Sequence, residues 1–231
     1  MRSTEIAKNL SVIKKEIKGA QLVAVTKYSP VEDVIAAYEA HQYDFGENRV
    51  QDLAEKAKVF EERSLTKVKW HMIGHLQTNK VRDLLKIPHL YAIHSVDSLR
   101  LLEELLKREN DFHGPELKLF FQVNTSHEDE KTGFESAEEL TMAIQLLLGR
   151  GPSKLKFYGL MTMGTIRTEH FEAEASRCFK DLATIARSVE DKFQLKTKLK
   201  LSMGMSQDYK IALAEGSDYI RVGSAIFKSH A

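Results

Sequence analysis

Two hydrophobic rhythms alternate along the chain. Short runs rich in β-branched and aromatic residues are separated by stretches whose apolar positions recur every three or four residues. The runs are QLVAVTK (21–27), YDF (43–45), KWHMIG (69–74), LYAIHSV (90–96), LKLFFQVN (117–124), LKFYGLMTM (155–163), LKLSMGM (199–205) and YIRVGSAIF (219–227). The first rhythm predicts strands and the second amphipathic helices. The clearest helical stripe is Phe171, Ala175, Cys178, Leu182, Ile185 and Val189. Ile6, Leu10, Ile13 and Ile17 form another, so residues 1–19 are expected to be an N-terminal helix packed on the remainder. Glu5 and Glu16 lie where the apolar centre of a secretory signal would fall, which argues against a leader.

Strict alternation of strand and helix implies a parallel sheet, because each parallel pair needs a crossover. Eight such units in 231 residues predict an α/β fold, a single-domain (β/α)₈ TIM-type barrel over residues 1–231 with the extra N-terminal helix. A doubly wound open sheet is the alternative arrangement. No low-complexity linker divides the chain, and Pro30, Pro88, Pro115 and Pro152 fall outside the predicted interiors. Ser29 as N-cap, Pro30 in the first helical position and Glu32 completing a capping box would end the first strand close to Lys27.

Composition narrows the class of function. Lysine plus arginine (34) nearly balance aspartate plus glutamate (33), so no global field is offered to nucleic acid or to an anionic membrane. The single cysteine, Cys178, excludes an internal disulfide framework and lies on an apolar stripe, as a structural thiol would. No apolar run approaches the roughly 20 residues that span a bilayer. A soluble, cytoplasmic protein is expected.

The candidate chemistry gathers at strand ends. In VAVTK, alternation places Val23, Val25 and Lys27 on one face. If the valines fill the barrel, Lys27 reaches, partly buried, into the C-terminal mouth where such barrels build their sites; a lysine snorkelling to water is the plainer alternative. Gly46, Gly74, Gly164, Gly204 and Gly223 fall at or just beyond the strand ends on Lys27's face. In SMGMSQDYK, Ser206 is placed to cap the next helix, and in IRVGSAIF, Gly223 and Ser224 form a second small turn rich in N–H groups. Together these turns suggest a phosphate cradle between the last two strands, with ordinary capping as the alternative. Arg221 shares a strand face with Gly223 and needs an anionic or acceptor partner, either a ligand or a carboxylate such as Glu47. HMIGH tempts a metal reading, but no third ligand is suitably spaced, so no metal is expected. The acidic loop SHEDEKTG (126–133) lacks the ligand pattern of a calcium loop, and KTKLK (196–200) reads as a solvated strand entrance.

A lysine at one side of a barrel mouth and a phosphate cradle at the other suit a ligand carrying both an aldehyde and a phosphate. Pyridoxal phosphate (PLP) carries both. A neutral lysine amine would attack the aldehyde to form an imine.

These motifs also carry a family resemblance. AVTK, FGENRVQ, KWHMIGHLQTNK, HSVDS, VNTSHEDEKTG, YGLMTMG, LSMGMSQDY and IRVGSAIF, from about residue 20 to 227, closely resemble in order and spacing the pyridoxal phosphate homeostasis proteins. The resemblance implies a barrel similar to the N-terminal domain of alanine racemase, with PLP held as a Schiff base on Lys27. It implies phosphate contacts from Ser206, Gly223 and Ser224, places Arg221 near the pyridine nitrogen and sets Asn48 beside the ring or the lysine. An arginine there disfavours protonating the ring nitrogen and makes the ring a poorer electron sink.

The expected function is therefore to buffer or deliver PLP in its intracellular homeostasis, with PLP-dependent apoenzymes as expected partners, as a monomer with no catalytic residues or turnover of its own. The alternatives are a PLP-dependent amino-acid racemase or decarboxylase, and a cofactor-free aldolase using Lys27. Related racemases resemble two-domain dimers, for which the chain's end near the last strand is expected to leave no room. Two departures stand out: the family usually has FG-x-R after the last strand where this chain reads FKSHA, and AVSK is commoner than AVTK.

Overall fold

The computed structural model describes residues 2–17, 19–126, 128, 131–165 and 169–228. Its elements run α1 (Arg2–Glu16), β1 (Gln21–Val25), α2 (Val31–Glu39), β2 (Asp44–Glu47), α3 (Val50–Glu62), β3 (Lys69–Met72), α4 (Val81–Leu85), β4 (Leu90–Val96) and α5 (Leu99–Lys107). They continue β5 (Leu117–Gln122), α6 (Ala137–Leu148), β6 (Leu155–Met161), α7 (Phe171–Phe193), β7 (Lys200–Met205), α8 (Tyr209–Ala214), β8 (Tyr219–Val222) and α9 (Ser224–Phe227). The eight strands pair in sequence order, all parallel, and β8 closes on β1. The sheet is thus the closed barrel that alternation predicts, not an open one.

Pleat parity divides each strand between two environments. Leu22, Ala24, Phe45, Trp70, Phe121, Leu160 and Ile220 pack outward against the helices, whose buried stripes meet them. Inside the barrel a much smaller apolar group forms around Val23, Ala92, Phe120, Met161 and Tyr219. Val23 is therefore interior, as the parity of VAVTK requires. Helix α1 buries Ile6, Leu10 and Ile13, and Asn9 Nδ2 donates to Ile226 O at 3.1 Å, tying α1 to the end of the barrel. Among the described residues, no helix is long and apolar enough to cross a membrane.

Three local expectations are corrected. IRVGSAIF does not remain a strand: β8 stops at Val222, and Gly223 O accepts from Ile226 N and Phe227 N at 2.9 and 3.0 Å, winding α9. An apolar run buried on all sides reads alike as strand or helical turn. The capping box at Ser29 is not formed either. Helix α2 begins behind Pro30 with no side-chain cap, because Ser29 N instead donates to Thr26 O at 2.9 Å and closes a turn. Finally, Gly204 does not face the barrel mouth with Lys27. A Cβ on it would stand 2.6 Å from Ala212 Cβ of α8, so its missing side chain opens space for helix packing, whereas one on Gly164 would stand 2.9 Å from Asp208 Oδ2 and 3.1 Å from the Phe179 ring of α7.

Candidate functional site

At the C-terminal mouth of the barrel lies a cavity of about 390 Å³, a size suited to a small-molecule ligand. Lys27, Asn48, Ser206, Arg221, Gly223 and Ser224 all line it, although they come from the ends of β1, β2, β7 and β8. Ile73, Met161, Met163 and Met205 supply apolar walls.

Lys27 sits two residues past β1, in the turn from Thr26 to Ser29. Its side chain is exposed, where partial burial was expected, because the turn lifts it clear of the last interior layer. The turn itself is clamped from behind. Thr26 N donates to Gly46 O at 2.9 Å, Thr26 Oγ1 donates to Glu47 Oε1 at 2.7 Å, and Lys56 Nζ donates to Thr26 O at 2.8 Å. Lys56 also pairs with Glu47, which is fully buried. Glu47 consequently serves Lys56 and Thr26, and does not satisfy Arg221. The next residue, Tyr28, adopts φ 67°, a left-handed conformation uncommon for a bulky side chain.

Asn48 follows β2 and lies against Gly74, where a Cβ would approach Asn48 O to 2.3 Å, so only glycine lets the two connections close. Asn48 Oδ1 is buried and has no hydrogen-bond partner among the described residues. Ser206 does not cap a helix: its Oγ accepts from Gly223 N at 3.2 Å and ties the β7 turn to the β8 turn. Helix α8 begins only behind Asp208, whose Oδ1 accepts from Met205 N.

Arg221 is 4% exposed and points inward, donating from Nη1 to Ser202 Oγ at 2.7 Å and from Nη2 to Thr162 O at 2.9 Å. Burial pushes its pKa down to about 10, opposed by the negative charge of Asp208, and the group stays cationic at neutral pH. Sequence reasoning missed Asp208. Burial raises its carboxyl above the ordinary range, against a Met205 backbone bond and the Arg221 charge that lower it, and Oδ2 has no partner among the described residues. The signal lay inside SMGMSQD, where an aspartate before a short helix reads as an ordinary cap.

Other candidates lie apart from this mouth. His71 is fully buried and His75 Nδ1 meets Asp97 Oδ2 at 2.7 Å. No cluster of three metal-ligating side chains occurs among the described residues. Cys178 is buried in α7, 3.6 Å from Thr125 O. Lys196 and Lys198 are exposed ahead of β7. Parts of SHEDEKTG, and Ser229 to Ala231 of FKSHA, lie outside the described residues.

The family model described as "Alanine racemase, N-terminal domain" matches residues 2–231. A "Pyridoxal phosphate homeostasis protein" of Mus musculus is 38% identical over 213 residues, spanning 90% of this chain and 76% of the mouse protein. One from Vibrio alginolyticus is 37% identical over 215 residues, 91% of this chain and 86% of that protein. Among solved structures, PipY of Synechococcus elongatus PCC7942 with PLP bound superposes with a TM-score of 0.83 at 33% identity, covering 96% of this chain and all of that one (100%). Alanine racemase from E. faecalis shares the fold, with a TM-score of 0.70 at 16% identity, and this chain covers 59% of it.

Proposed function

This chain belongs to the family of pyridoxal phosphate homeostasis proteins, built on the alanine racemase N-terminal domain, and from that premise we propose that it binds PLP in the barrel mouth and buffers or delivers it. The observation that carries this reading is the convergence of one amine, two serine hydroxyls, an N–H-rich turn and a buried guanidinium on a single cavity. The cavity's own chemistry fits the ligand: Asn48 Oδ1 and Asp208 Oδ2 are buried polar atoms without partners among the described residues, and such atoms are rare unless something else satisfies them.

When bound, the cofactor supplies an aldehyde that a primary amine can capture with loss of water. Lys27 is the amine that captures it, and the Glu47, Lys56 and Thr26 clamp holds its backbone in place. Ser206, Gly223 and Ser224 hold the phosphate. Asn48 contacts the ring or the lysine. Arg221 keeps a fixed positive charge at the inner wall, which disfavours a proton on a neighbouring pyridine nitrogen and so discourages carbanion chemistry. Residues 1–231 act as one PLP-binding barrel, with residues 1–19 as its packed N-terminal helix. The protein works as a cytoplasmic monomer without turnover of its own, and PLP-dependent apoenzymes are its recipients.

Borohydride reduction of the PLP-loaded protein followed by peptide mass mapping tests the reading. One phosphopyridoxyl group on the Lys27 peptide is expected, and Lys27→Ala is expected to lose both the adduct and the visible absorbance. Ser206→Ala combined with Ser224→Ala is expected to release PLP about tenfold faster on dialysis, equivalent to about 1.4 kcal/mol. Label on another lysine would place the site elsewhere. Sustained racemisation or decarboxylation of added L-amino acids would replace the carrier with an enzyme.

A further inference from the structure

A row of polar side chains crosses the barrel interior and ends on Arg221. At the floor, Asp44 opens β2, is 4% exposed and accepts from Gln21 Nε2 at 2.7 Å. Its other oxygen lies 3.0 Å from His71 Nε2 on β3. His71 Nδ1 lies 2.9 Å from His94 Nε2 on β4, and His94 Nδ1 lies 2.8 Å from Ser202 Oγ on β7. Arg221 Nη1 completes the row at 2.7 Å from that hydroxyl. His71, His94 and Ser202 are each 0% exposed, so water cannot substitute for any link.

Donor and acceptor roles follow by elimination. A carboxylate only accepts, so Asp44 fixes a proton on His71 Nε2, and a guanidinium only donates, so Ser202 Oγ accepts from Arg221. With one proton on each ring, His71 Nδ1 then accepts from His94 Nε2, and His94 Nδ1 is left to accept the Ser202 hydrogen. Every link points the same way, from cation to carboxylate, and aligned bonds of this kind strengthen one another. Unless His94 changes tautomer, a proton added at His71 Nδ1 would face the His94 N–H. The surroundings agree: burial first, then His71 and Arg221, hold His94 well below its usual range. Phe120 stacks on its ring at 4.2 Å, and Tyr219, kept protonated by burial and Tyr158, presents an edge at 5.9 Å.

We propose that Asp44, His71, His94 and Ser202 form a positioning array that fixes the orientation and hydrogen-bond polarity of Arg221, so that the barrel floor sets the field a ligand ring meets in the mouth. This rests on reading the mouth as the PLP site with Arg221 on its wall. The array explains why so polar a row occupies an interior that barrels of this kind usually fill with branched apolar residues.

Two measurements test it. The first needs no cofactor: ¹⁵N spectra are expected to show His94 neutral with its proton on Nε2, unchanged between pH 8 and 6. A charged His94, or one protonated on Nδ1, overturns the array. The second compares PLP-loaded wild type, Asp44→Asn, Ser202→Ala and the double variant by the pH titration of the bound chromophore and by its release rate. Asp44→Asn, at the far end of the barrel, is expected to shift the titration and speed release several-fold while the Lys27 adduct still forms. The double variant is expected to do no more than Ser202→Ala alone, the non-additivity of a connected unit. Additive effects, or an Asp44→Asn protein identical to wild type, overturn the proposal. A wild-type protein that forms no adduct instead fails the site reading, and the imidazole spectra still decide the array.

Discussion

The same eight strands line two spaces of opposite chemistry. On β8, Ile220 and Val222 join the apolar shell beneath the helices, while Tyr219 and Arg221 face the lumen. On β7, Leu201 and Met203 go outward and Ser202 inward; on β2, Phe45 goes outward, while Asp44 reaches the lumen's histidines. The shell holds large apolar side chains in mutual contact, whose stabilisation scales with buried area. The lumen instead holds a few apolar groups around directed hydrogen bonds, which contribute modestly to net stability but cost much when one partner is lost. Stability and chemistry are thus assigned to alternate residues of one backbone, and changes on the two faces should produce different symptoms.

The largest expected effect tests the shell. Phe121 is fully buried between Phe134 at 5.6 Å and Phe157 at 4.9 Å. Phe121→Ala is expected to cost about 3–5 kcal/mol in urea unfolding. Release of PLP from the folded fraction should remain at the wild-type rate. If release accelerated in step with lost stability, the two faces would not be separable.

A smaller effect marks the lumen. His94 is held neutral when folded, whereas an unfolded histidine takes up a proton below about pH 6.5. The unfolded state then binds more protons than the native state, so stability falls as pH drops below that value and is fully present above it. The slope from this one residue is up to about 1.4 kcal/mol per pH unit. Urea midpoints at pH 7.5, 6.5 and 5.5 should show the loss in wild type, and His94→Gln, which cannot titrate, should flatten it. A wild-type profile that stays level across this range would mean that His94 is not the lumen's acid-sensitive member.

Legibility in the sequence followed the same division. The shell was readable because each outward position repeats with its own element's period, which is local information, and the order of strands and helices followed from it. The mouth was largely readable too, since Lys27, Arg221 and Gly223 stand at or near strand ends that the pattern locates. The lumen was not. His94 and Ser202 lie 108 residues apart and meet only because the barrel closes, so no local spacing links them. His71 stood out in HMIGH as a metal ligand considered and set aside, while its actual partners are supplied by neighbouring strands. Asp208 was hidden for the opposite reason, because a purely local rule explained it too easily.

The rim between the two spaces should answer to neither rule, and Tyr28 is the residue to test it. It is 85% exposed, so it has little burial to lose, yet its φ of 67° costs about 1–2 kcal/mol relative to a right-handed conformation. Glycine adopts that conformation without penalty but loses roughly 0.5–1 kcal/mol through its freer unfolded chain. Tyr28→Gly should therefore stabilise the fold slightly, by about 0.5 kcal/mol in urea unfolding. The same change frees the turn from Thr26 to Ser29, so Lys27 should sample more orientations and the rate of adduct formation with PLP should fall a few-fold. A gain in stability with slower capture would show that strain in this turn serves the amine rather than the fold. A loss of stability would show instead that the tyrosine ring makes contacts that compensate its backbone, and that the rim is built on the same terms as the shell.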